Sequence, residues 1–247
     1  MRYFIQFSYF GKAYHGWQRQ PNAITVQQVL EEALSMLLRA KVDIVGAGRT
    51  DAGVHAKEMF GHFDFSEIEN TTDLVNRVNS YLPADIAITD IFRVDDTSHA
   101  RFDAIERTYE YWITQEKNPF YIESSHFIWS TLDVDAMNRA AEILIEYKDF
   151  ECFSKSHTDV KTFICKLKKA VWEKKGDKLV FTITADRFLR NMVRAIVGTL
   201  LEVGLKKIEP EGVRAIIESK DRSRAGASVP AKGLYLTKVL YPENRTK

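Results

Sequence analysis

The order of hydrophobic patterns along the chain constrains its fold more than any other feature. Apolar residues alternate from Tyr3 to Tyr9, as in a strand with one buried face. From Val26 to Leu38 they recur at intervals of three and four, which is typical of an amphipathic helix, and Thr25 with Gln28 forms a capping pair at its start. Strands near 42–45 and 59–65, a helix near 73–81 and a strand near 86–94 complete the order βαββαβ.

The second half of the chain repeats this order. Its predicted elements are a strand at 107–114, a helix at 133–147, strands near 162–172 and 179–184, a helix at 188–203, a short extra helix at 210–219 and a final strand at 234–241. Two consecutive βαββαβ units predict an α+β fold made of two ferredoxin-like modules. Such sheets are covered by helices on one face and leave the other face free for a ligand. The predicted domains are residues 1–105 and 106–247.

Composition narrows the class of protein. The chain has 247 residues, of which 45% are hydrophobic, and no run approaches the roughly 20 apolar residues that cross a bilayer. Its start alternates like a strand instead of carrying the apolar core of a signal peptide, so we expect a cytoplasmic protein. Cys152 and Cys165 are the only cysteines, and their spacing indicates neither a disulfide framework nor a zinc site. We expect both to be reduced, buried thiols.

Charge is distributed unevenly although the formal net charge is only +1. Residues 1–105 hold 10 Lys+Arg against 14 Asp+Glu, whereas residues 106–247 hold 25 against 20. From Lys161 to Lys178 there are seven lysines and two acids. That excess suits the neutralisation of phosphates, but a solvated lysine-rich hairpin would have the same composition.

A glycine-bearing loop lies between two predicted strands of the first half. Its sequence is Gly46-Ala-Gly-Arg-Thr-Asp-Ala-Gly-Val-His-Ala56. Glycines allow a turn that could hold Arg49 and Asp51 in fixed directions, although a tight turn whose aspartate bonds its own backbone is the plainer interpretation. A dinucleotide site does not fit, because the glycine spacing departs from G-x-G-x-x-G and a strand, not a helix, follows.

Three arginines mark the helix predicted in residues 185–201. Arg187, Arg190 and Arg194 stand three and four residues apart, so a continuous helix would place them on one side. An arginine near the middle of a buried helix requires a carboxylate or phosphate partner, and Asp51 is a candidate for Arg194. Alternatively, the arginines lie at the protein edge with their stems on apolar surface.

The strand at 107–114 carries a candidate base-binding residue. Tyr109, Tyr111 and Ile113 share one face of it. We interpret Tyr111 as a packing residue. Tyr109 could instead stack on a nucleotide pulled out of its helix, which is a common use of aromatic side chains in RNA recognition, although packing is its plainer interpretation too.

The chain resembles the TruA-type family of tRNA pseudouridine synthases along nearly its whole length. The motifs that carry the resemblance are Tyr14-His-Gly-Trp-Gln18, Val26-Gln-Gln-Val-Leu-Glu-Glu-Ala-Leu34, Gly48-Arg-Thr-Asp-Ala-Gly-Val-His-Ala56, His99-Ala-Arg-Phe102, Arg107-Thr-Tyr-Glu-Tyr111, Met192-Val-Arg194 and Gly233-Leu-Tyr-Leu236. It departs from the family at Ala225-Gly-Ala-Ser-Val-Pro230, where a Gly-x-Thr-Ala-Pro pattern is usual. This departure from the family pattern affects only the local contacts of residues 225–230.

The resemblance implies a pseudouridine synthase fold, with the two sheets joined around a central basic cleft. It also implies that Asp51 is the catalytic aspartate, that Tyr109 contacts the target base, that Arg194 pairs with the aspartate and that Arg49 helps to extrude the uridine. Isomerisation of uridine involves no redox change, so neither a metal nor an organic cofactor is expected. The implied partners are tRNA, bound at its anticodon stem-loop, and a second copy of the chain. The alternative class is a non-catalytic RNA-binding module.

Overall fold

A computed structural model describes residues 1–155 and 160–243 and has the predicted α+β architecture. The chain divides into two units. The first comprises Met1–Glu106 and the residues from Tyr235 onward, and the second comprises Arg107–Leu234. The strands are β1 Arg2–Tyr9, β2 Val45–Gly46, β3 His55–Asp64, β4 Ile86–Val94, β5 Glu106–Thr114, β6 His126–Phe127, β7 Leu167–Lys175, β8 Lys178–Ala185 and β9 Leu234–Leu240; the helices are α1 Val26–Leu38, α2 Thr71–Tyr81, α3 Val134–Ile145, α4 Met192–Gly204 and α5 Gly212–Ser219.

The sheet of the first unit is built around β1. Both β3 and β4 pair with β1 in antiparallel fashion, and β2 is antiparallel to β3. The last strand of the described chain, β9, pairs with β3 in parallel, with His55 opposite Tyr235. The residues from Tyr235 onward therefore group with the first unit, whereas the sequence had assigned them to a domain spanning 106–247.

Helix α1 begins where the sequence indicates, and α2 begins two residues earlier than predicted. The Thr25 side chain caps α1 by accepting the Gln28 N–H (3.4 Å), and the Asn70 side chain accepts the Asp73 N–H (2.9 Å) at the start of α2. Such caps satisfy backbone donors that have no partner within the helix. The buried face of α1 includes Val26, Leu30, Ala33 and Leu34, as the periodicity predicts.

Strand β2 begins three residues later than predicted. Side chains of α1 bind the backbone of the predicted segment: the Glu31 carboxylate accepts the Ile44 N–H (3.0 Å), and the Ser35 hydroxyl accepts the Val42 N–H (2.9 Å). These donors are therefore not available to a neighbouring strand. A side chain that bonds to the backbone in this way competes with the sheet ladder, and the ladder begins only at Val45.

In the second unit, β8 lies between β5 and β7 in an antiparallel sheet, and the two-residue strand β6 runs parallel to the end of β5. The sequence did not predict β6. Strand β7 begins at Leu167, later than the predicted 162. The β7–β8 hairpin turns at Gly176, which has a φ of 62°. Four of its lysines are exposed along β7: Lys168, Lys169, Lys174 and Lys175.

Helix α4 begins four residues later than predicted. Asn191 immediately precedes it and has a left-handed conformation with φ 67°, so residues 188–191 cannot continue the helix. Within α4, Gly198 lies so close to Gly226 and Ala227 that a side chain could not fit, and the Thr199 hydroxyl accepts the Gly226 N–H (2.8 Å). The segment that departs from the family pattern thus packs directly on α4.

Both cysteines are free and buried, as predicted. Burial raises the pKa of the Cys152 thiol to about 12 and that of Cys165 to about 11, so both are protonated at neutral pH. Among the described residues, no helix has the length and hydropathy needed to span a membrane. Residues 1–155 and 160–243 contain no group of three or more His, Cys, Asp or Glu side chains that could hold a metal ion.

Candidate active site

Asp51 lies in the loop between β2 and β3, in the first unit. Its side chain is half-buried, and the preceding Arg49 is exposed. The Asp51 carbonyl accepts the Val54 N–H (3.2 Å), which closes a turn, and Gly53 within that turn has a φ of 77°. A conformation of this kind is easily reached only by glycine. The turn comprises residues 51–54, with Asp51 at its start, and Arg49 lies two residues before it in the same glycine-bearing loop.

The segment of residues 14–17 holds this turn through the backbone. The Gly53 N–H donates to the Tyr14 carbonyl (3.2 Å), and the Trp17 N–H donates to the Thr50 carbonyl (3.4 Å). From β1, the Tyr9 hydroxyl shares a hydrogen bond with the Thr50 hydroxyl (2.8 Å). Residues on both sides of Asp51 are therefore hydrogen-bonded to neighbouring elements. The loop is thus already ordered before a substrate binds.

Two glycines allow the close approach on which this arrangement depends. A Cβ atom on Gly16 would overlap the Thr50 carbonyl, and one on Gly11 would overlap the Val54 carbonyl. Gly16 also has a φ of 88°, which L side chains rarely adopt. Sequence reasoning missed both residues as contributors to the site. Gly16 does lie in one of the motifs that carry the family resemblance, and that was the available signal.

His55 follows the loop and is buried, with 1% of its surface exposed. Its Nδ1 atom accepts the Gly11 N–H (2.9 Å), and its ring lies between Phe10 (4.1 Å between centroids) and Tyr235 (4.6 Å). His55 therefore joins the end of the loop to the segment after β1 and to β9. The sequence motif contained His55 without indicating this role.

A cavity of about 380 Å³ opens beside His55 in the first unit. The Lys57 ammonium lies 5.6 Å from the centroid of the Tyr235 ring at its wall. The Asp85 carboxylate, also at the wall, accepts the Tyr14 hydroxyl (2.6 Å). The remaining lining residues are Ser8, Tyr9, Phe10, Ala56, Ala84 and Ala87.

Tyr109 and Tyr111 lie on β5 in the second unit. Tyr111 is fully buried and donates its hydroxyl hydrogen to the Pro230 carbonyl (2.9 Å), so it is a packing residue, as predicted. Tyr109 is half-buried and meets Phe188 edge to face, with 5.2 Å between ring centroids. The contact fixes the Tyr109 ring while leaving part of it accessible.

Arg194 lies in the first turn of α4 and is half-buried. Its Nε atom donates to the Val229 carbonyl (2.7 Å), and the Val229 N–H donates back to the Arg194 carbonyl (3.2 Å). The segment 225–230 therefore positions this guanidinium through the backbone. Arg194 and Asp51 belong to different units, and their ion pair stays a prediction.

The predicted stripe of three arginines on one helix is wrong. Because α4 begins at Met192, both Arg187 and Arg190 precede it and do not share a helix face with Arg194. The half-buried Arg187 donates to the Thr162 carbonyl (3.4 Å), and Arg190 is exposed. Of the three arginines, only Arg194 lies in a helix, as predicted.

Comparison with known proteins shows the family to which the chain belongs. A model of the tRNA pseudouridine synthase family matches residues 5–103 and 140–242. The chain therefore belongs to the tRNA pseudouridine synthase family, and within it to the TruA type, as the motifs predicted.

Individual relatives are similar across almost the whole chain. A tRNA pseudouridine synthase A from Parabacteroides distasonis is 55% identical over 243 residues, which cover 98% of this chain and 96% of the relative. A protein of the same name from Bacteroides thetaiotaomicron is 52% identical, covering 98% and 91%. A third, from Francisella tularensis subsp. novicida, is 40% identical, covering 98% and 94%.

Proposed function

We propose that this chain isomerises uridine to pseudouridine in tRNA and that Asp51 is its catalytic carboxylate. The observation that carries the proposal is the position of Asp51 in a turn whose neighbours are hydrogen-bonded to residues 14–17. A carboxylate held in this way can act on a bound nucleotide without first being ordered. Relatives named tRNA pseudouridine synthase A, similar over the full chain, support both the reaction and the substrate.

The reaction rearranges bonds within one nucleotide. The N1–C1′ bond breaks, the uracil turns, and a C5–C1′ bond forms while C5 loses its proton and N1 gains one. Because nothing is oxidised or reduced, the chemistry requires no redox cofactor. An ionised carboxylate can serve as a nucleophile at C1′, as a nucleophile at C6 or as a base for the C2′ proton, and all three roles are compatible with Asp51.

Three further residues have proposed roles at this site. Arg194 pairs with Asp51 and keeps it ionised, Tyr109 contacts the target base, and Arg49 occupies the space that the extruded uridine leaves. Extrusion of a stacked nucleotide costs a few kcal/mol, which base contacts and phosphate contacts offset. The exposure of Arg49 and the partial exposure of Tyr109 support these roles, because both side chains can be reached by RNA.

The substitution Asp51→Asn tests the proposal. We expect it to abolish tritium release from tRNA labelled at uridine C5 and to change tRNA affinity little, because the amide keeps the shape of the side chain but loses its charge. Asp73→Asn is the matched control, since Asp73 lies exposed on α2, and it should release tritium at the unsubstituted rate. Normal turnover by Asp51→Asn would refute the role of Asp51. An unsubstituted protein that binds tRNA but releases no tritium would support the non-catalytic alternative.

We also propose the target uridines, the cellular location and the oligomeric state of the protein. The target uridines lie in the anticodon stem-loop, and mapping pseudouridine in tRNA from cells lacking this chain tests that assignment. The chain acts in the cytoplasm, where tRNA resides, and cell fractionation tests this. It acts as a homodimer, as the family resemblance implies, and sedimentation of the purified protein measures the state directly.

A further inference from the structure

A turn between β4 and β5 carries the most exposed aromatic ring among the described residues of the first unit. Phe102 is 73% exposed. It belongs to the motif His99-Ala-Arg-Phe102, which takes no part in the proposed chemistry. Isolated apolar side chains are common on protein surfaces and need no explanation by themselves. The way in which this ring is supported sets it apart.

The His99 ring supports Phe102 from below. The two ring centroids are 4.2 Å apart with an interplanar angle of 35°. The His99 Nδ1 atom accepts the backbone N–H groups of both Arg101 (3.1 Å) and Phe102 (3.3 Å). The Asp103 carboxylate accepts the backbone N–H of His99 (2.9 Å). Four of the five residues from His99 to Asp103 are thus joined by hydrogen bonds. The Phe102 ring is held against the His99 ring, and Phe102 is nevertheless largely exposed to solvent.

A second histidine anchors this turn to the sheet. His62 on β3 is buried, its ring lies 4.6 Å from that of His99, and its Nδ1 accepts the Ala100 N–H (3.1 Å). Burial lowers the pKa of His62 to about 4 and also lowers the pKa of His99. Both imidazoles are therefore neutral at physiological pH and keep an Nδ1 acceptor for these backbone donors.

A cation accompanies the exposed ring. The Arg101 guanidinium carbon lies 5.6 Å from the centroid of Phe102. An aromatic face beside an arginine is the combination that binds unpaired nucleotides, through stacking on the ring and contact with phosphate.

We propose that an unpaired base of the RNA substrate stacks on the exposed ring of Phe102 while Arg101 binds the adjoining phosphate. One ring and one guanidinium are far too small for a stable protein interface, which buries about 800 Å² on each side, but they suit a single nucleotide. The proposal rests on the proposed function, because it names a further contact with the same tRNA. It lies at the opposite end of β3 from the loop, about 23 Å along the strand from His55 to His62 at the usual rise per residue.

Binding measurements on the whole chain test this contact. We expect Phe102→Ala to raise the Kd for tRNA between about fivefold and a hundredfold, the range for loss of one aromatic stack, and to leave kcat at saturating tRNA unchanged. Phe102→Trp should restore binding. Arg101→Gln should lower the slope of log Kd against log salt concentration by about one. Because the Phe102 ring is exposed, the melting temperature of Phe102→Ala should match that of the unsubstituted chain.

The matched control is Tyr81→Ala. Tyr81 is 56% exposed at the end of α2, so its loss removes another exposed aromatic ring of the same unit. Equal weakening by both variants, or a Kd for Phe102→Ala within twofold of the unsubstituted value, overturns the proposal. Weakened binding by Phe102→Ala in a protein that releases no tritium would overturn the isomerase proposal and leave this contact standing.

Discussion

Gly16 lies at a position in the active-site region where no side chain fits. Its φ of 88° disfavours an L residue, and a Cβ would overlap the Thr50 carbonyl next to Asp51. We predict that Gly16→Ala displaces the loop and lowers kcat at least tenfold, since small misplacements of a catalytic group are costly. Tritium release measures the loss. Gly176→Ala is the control, because Gly176 also has a positive φ but no atom lies within 4 Å of its Cβ site.

Comparison of the two glycine variants separates the effect of backbone strain from the effect of displacing the Asp51 loop. Gly176→Ala should lower the free energy of unfolding by about 1 kcal/mol, the usual cost of a left-handed alanine, without changing tritium release. If both variants were equally active, the contact between Gly16 and the loop would have no bearing on catalysis. Denaturant titration of each variant gives the free energy of unfolding and shows whether the protein is still folded in the assay.

Single residues of the site were predictable where the signal was local. The sequence indicated Asp51 and Arg49 because their glycine-bearing loop lies between two strands in a short stretch of chain. It did not indicate that His55 accepts the Gly11 N–H, because the partners are 44 residues apart and no periodicity links them. Long-range contacts of this kind follow from the register of strands, which a single sequence does not give.

At the scale of elements, Glu31 joins α1 to the segment before β2. This buried carboxylate accepts the Ile44 N–H (3.0 Å), the Gln27 side-chain amide (2.9 Å) and the Arg19 guanidinium (3.2 Å). We predict that Glu31→Ala lowers the free energy of unfolding by about 1–3 kcal/mol, because it leaves a buried donor without a partner. Denaturant titration measures the change.

The neighbouring Glu32 provides the control for Glu31. It is exposed, and its carboxylate lies 3.8 Å from Arg19. Glu32→Ala should change the free energy of unfolding by less than about 0.5 kcal/mol, as is usual for surface substitutions. A similar loss in both variants would mean that the charge on this face of α1, and not the buried hydrogen bonds, stabilises the unit.

Element types were predicted well, and two of the boundaries that differ from the prediction have identifiable reasons. Strand β2 starts late because Glu31 and Ser35 bind the backbone of residues 42–44. Helix α4 starts late because Asn191 is left-handed, although apolar residues continue the helical spacing through Leu189. In both cases a tertiary contact or a backbone conformation overrides the hydrophobic pattern, and that pattern is what a sequence displays most clearly.

For the whole molecule, the uneven charge predicts a salt-dependent affinity for tRNA. Residues 106–247 carry an excess of five basic residues, and β7 exposes Lys168, Lys169 and Lys174. We predict that the Kd for tRNA rises steeply between low and moderate salt, because bound counterions are released from the phosphates. Filter binding over a salt series measures the slope. A flat response would contradict the assignment of this half as the phosphate-binding part.

A triple substitution decides between the two interpretations of the lysine-rich hairpin. If these lysines bind phosphates, replacing Lys168, Lys169 and Lys174 by glutamine should lower the slope of log Kd against log salt concentration by about three. If they are only solvated, the slope should stay the same. Gln substitution at Lys206 and Lys207, after α4, removes two charges elsewhere in the unit, so the change in slope per charge removed can be compared between the two variants.

The pairing of β9 with β3 has a consequence for how the protein is made. Because Tyr235 lies opposite His55, the strand that follows the Asp51 loop obtains one of its neighbours only after residues 107–234 have been translated. The first unit cannot be completed while its own segment alone has left the ribosome. Its nascent sheet has an unpaired edge while residues 107–234 are synthesised, and such edges are prone to aggregation. Maturation of the first unit is therefore tied to translation of the second.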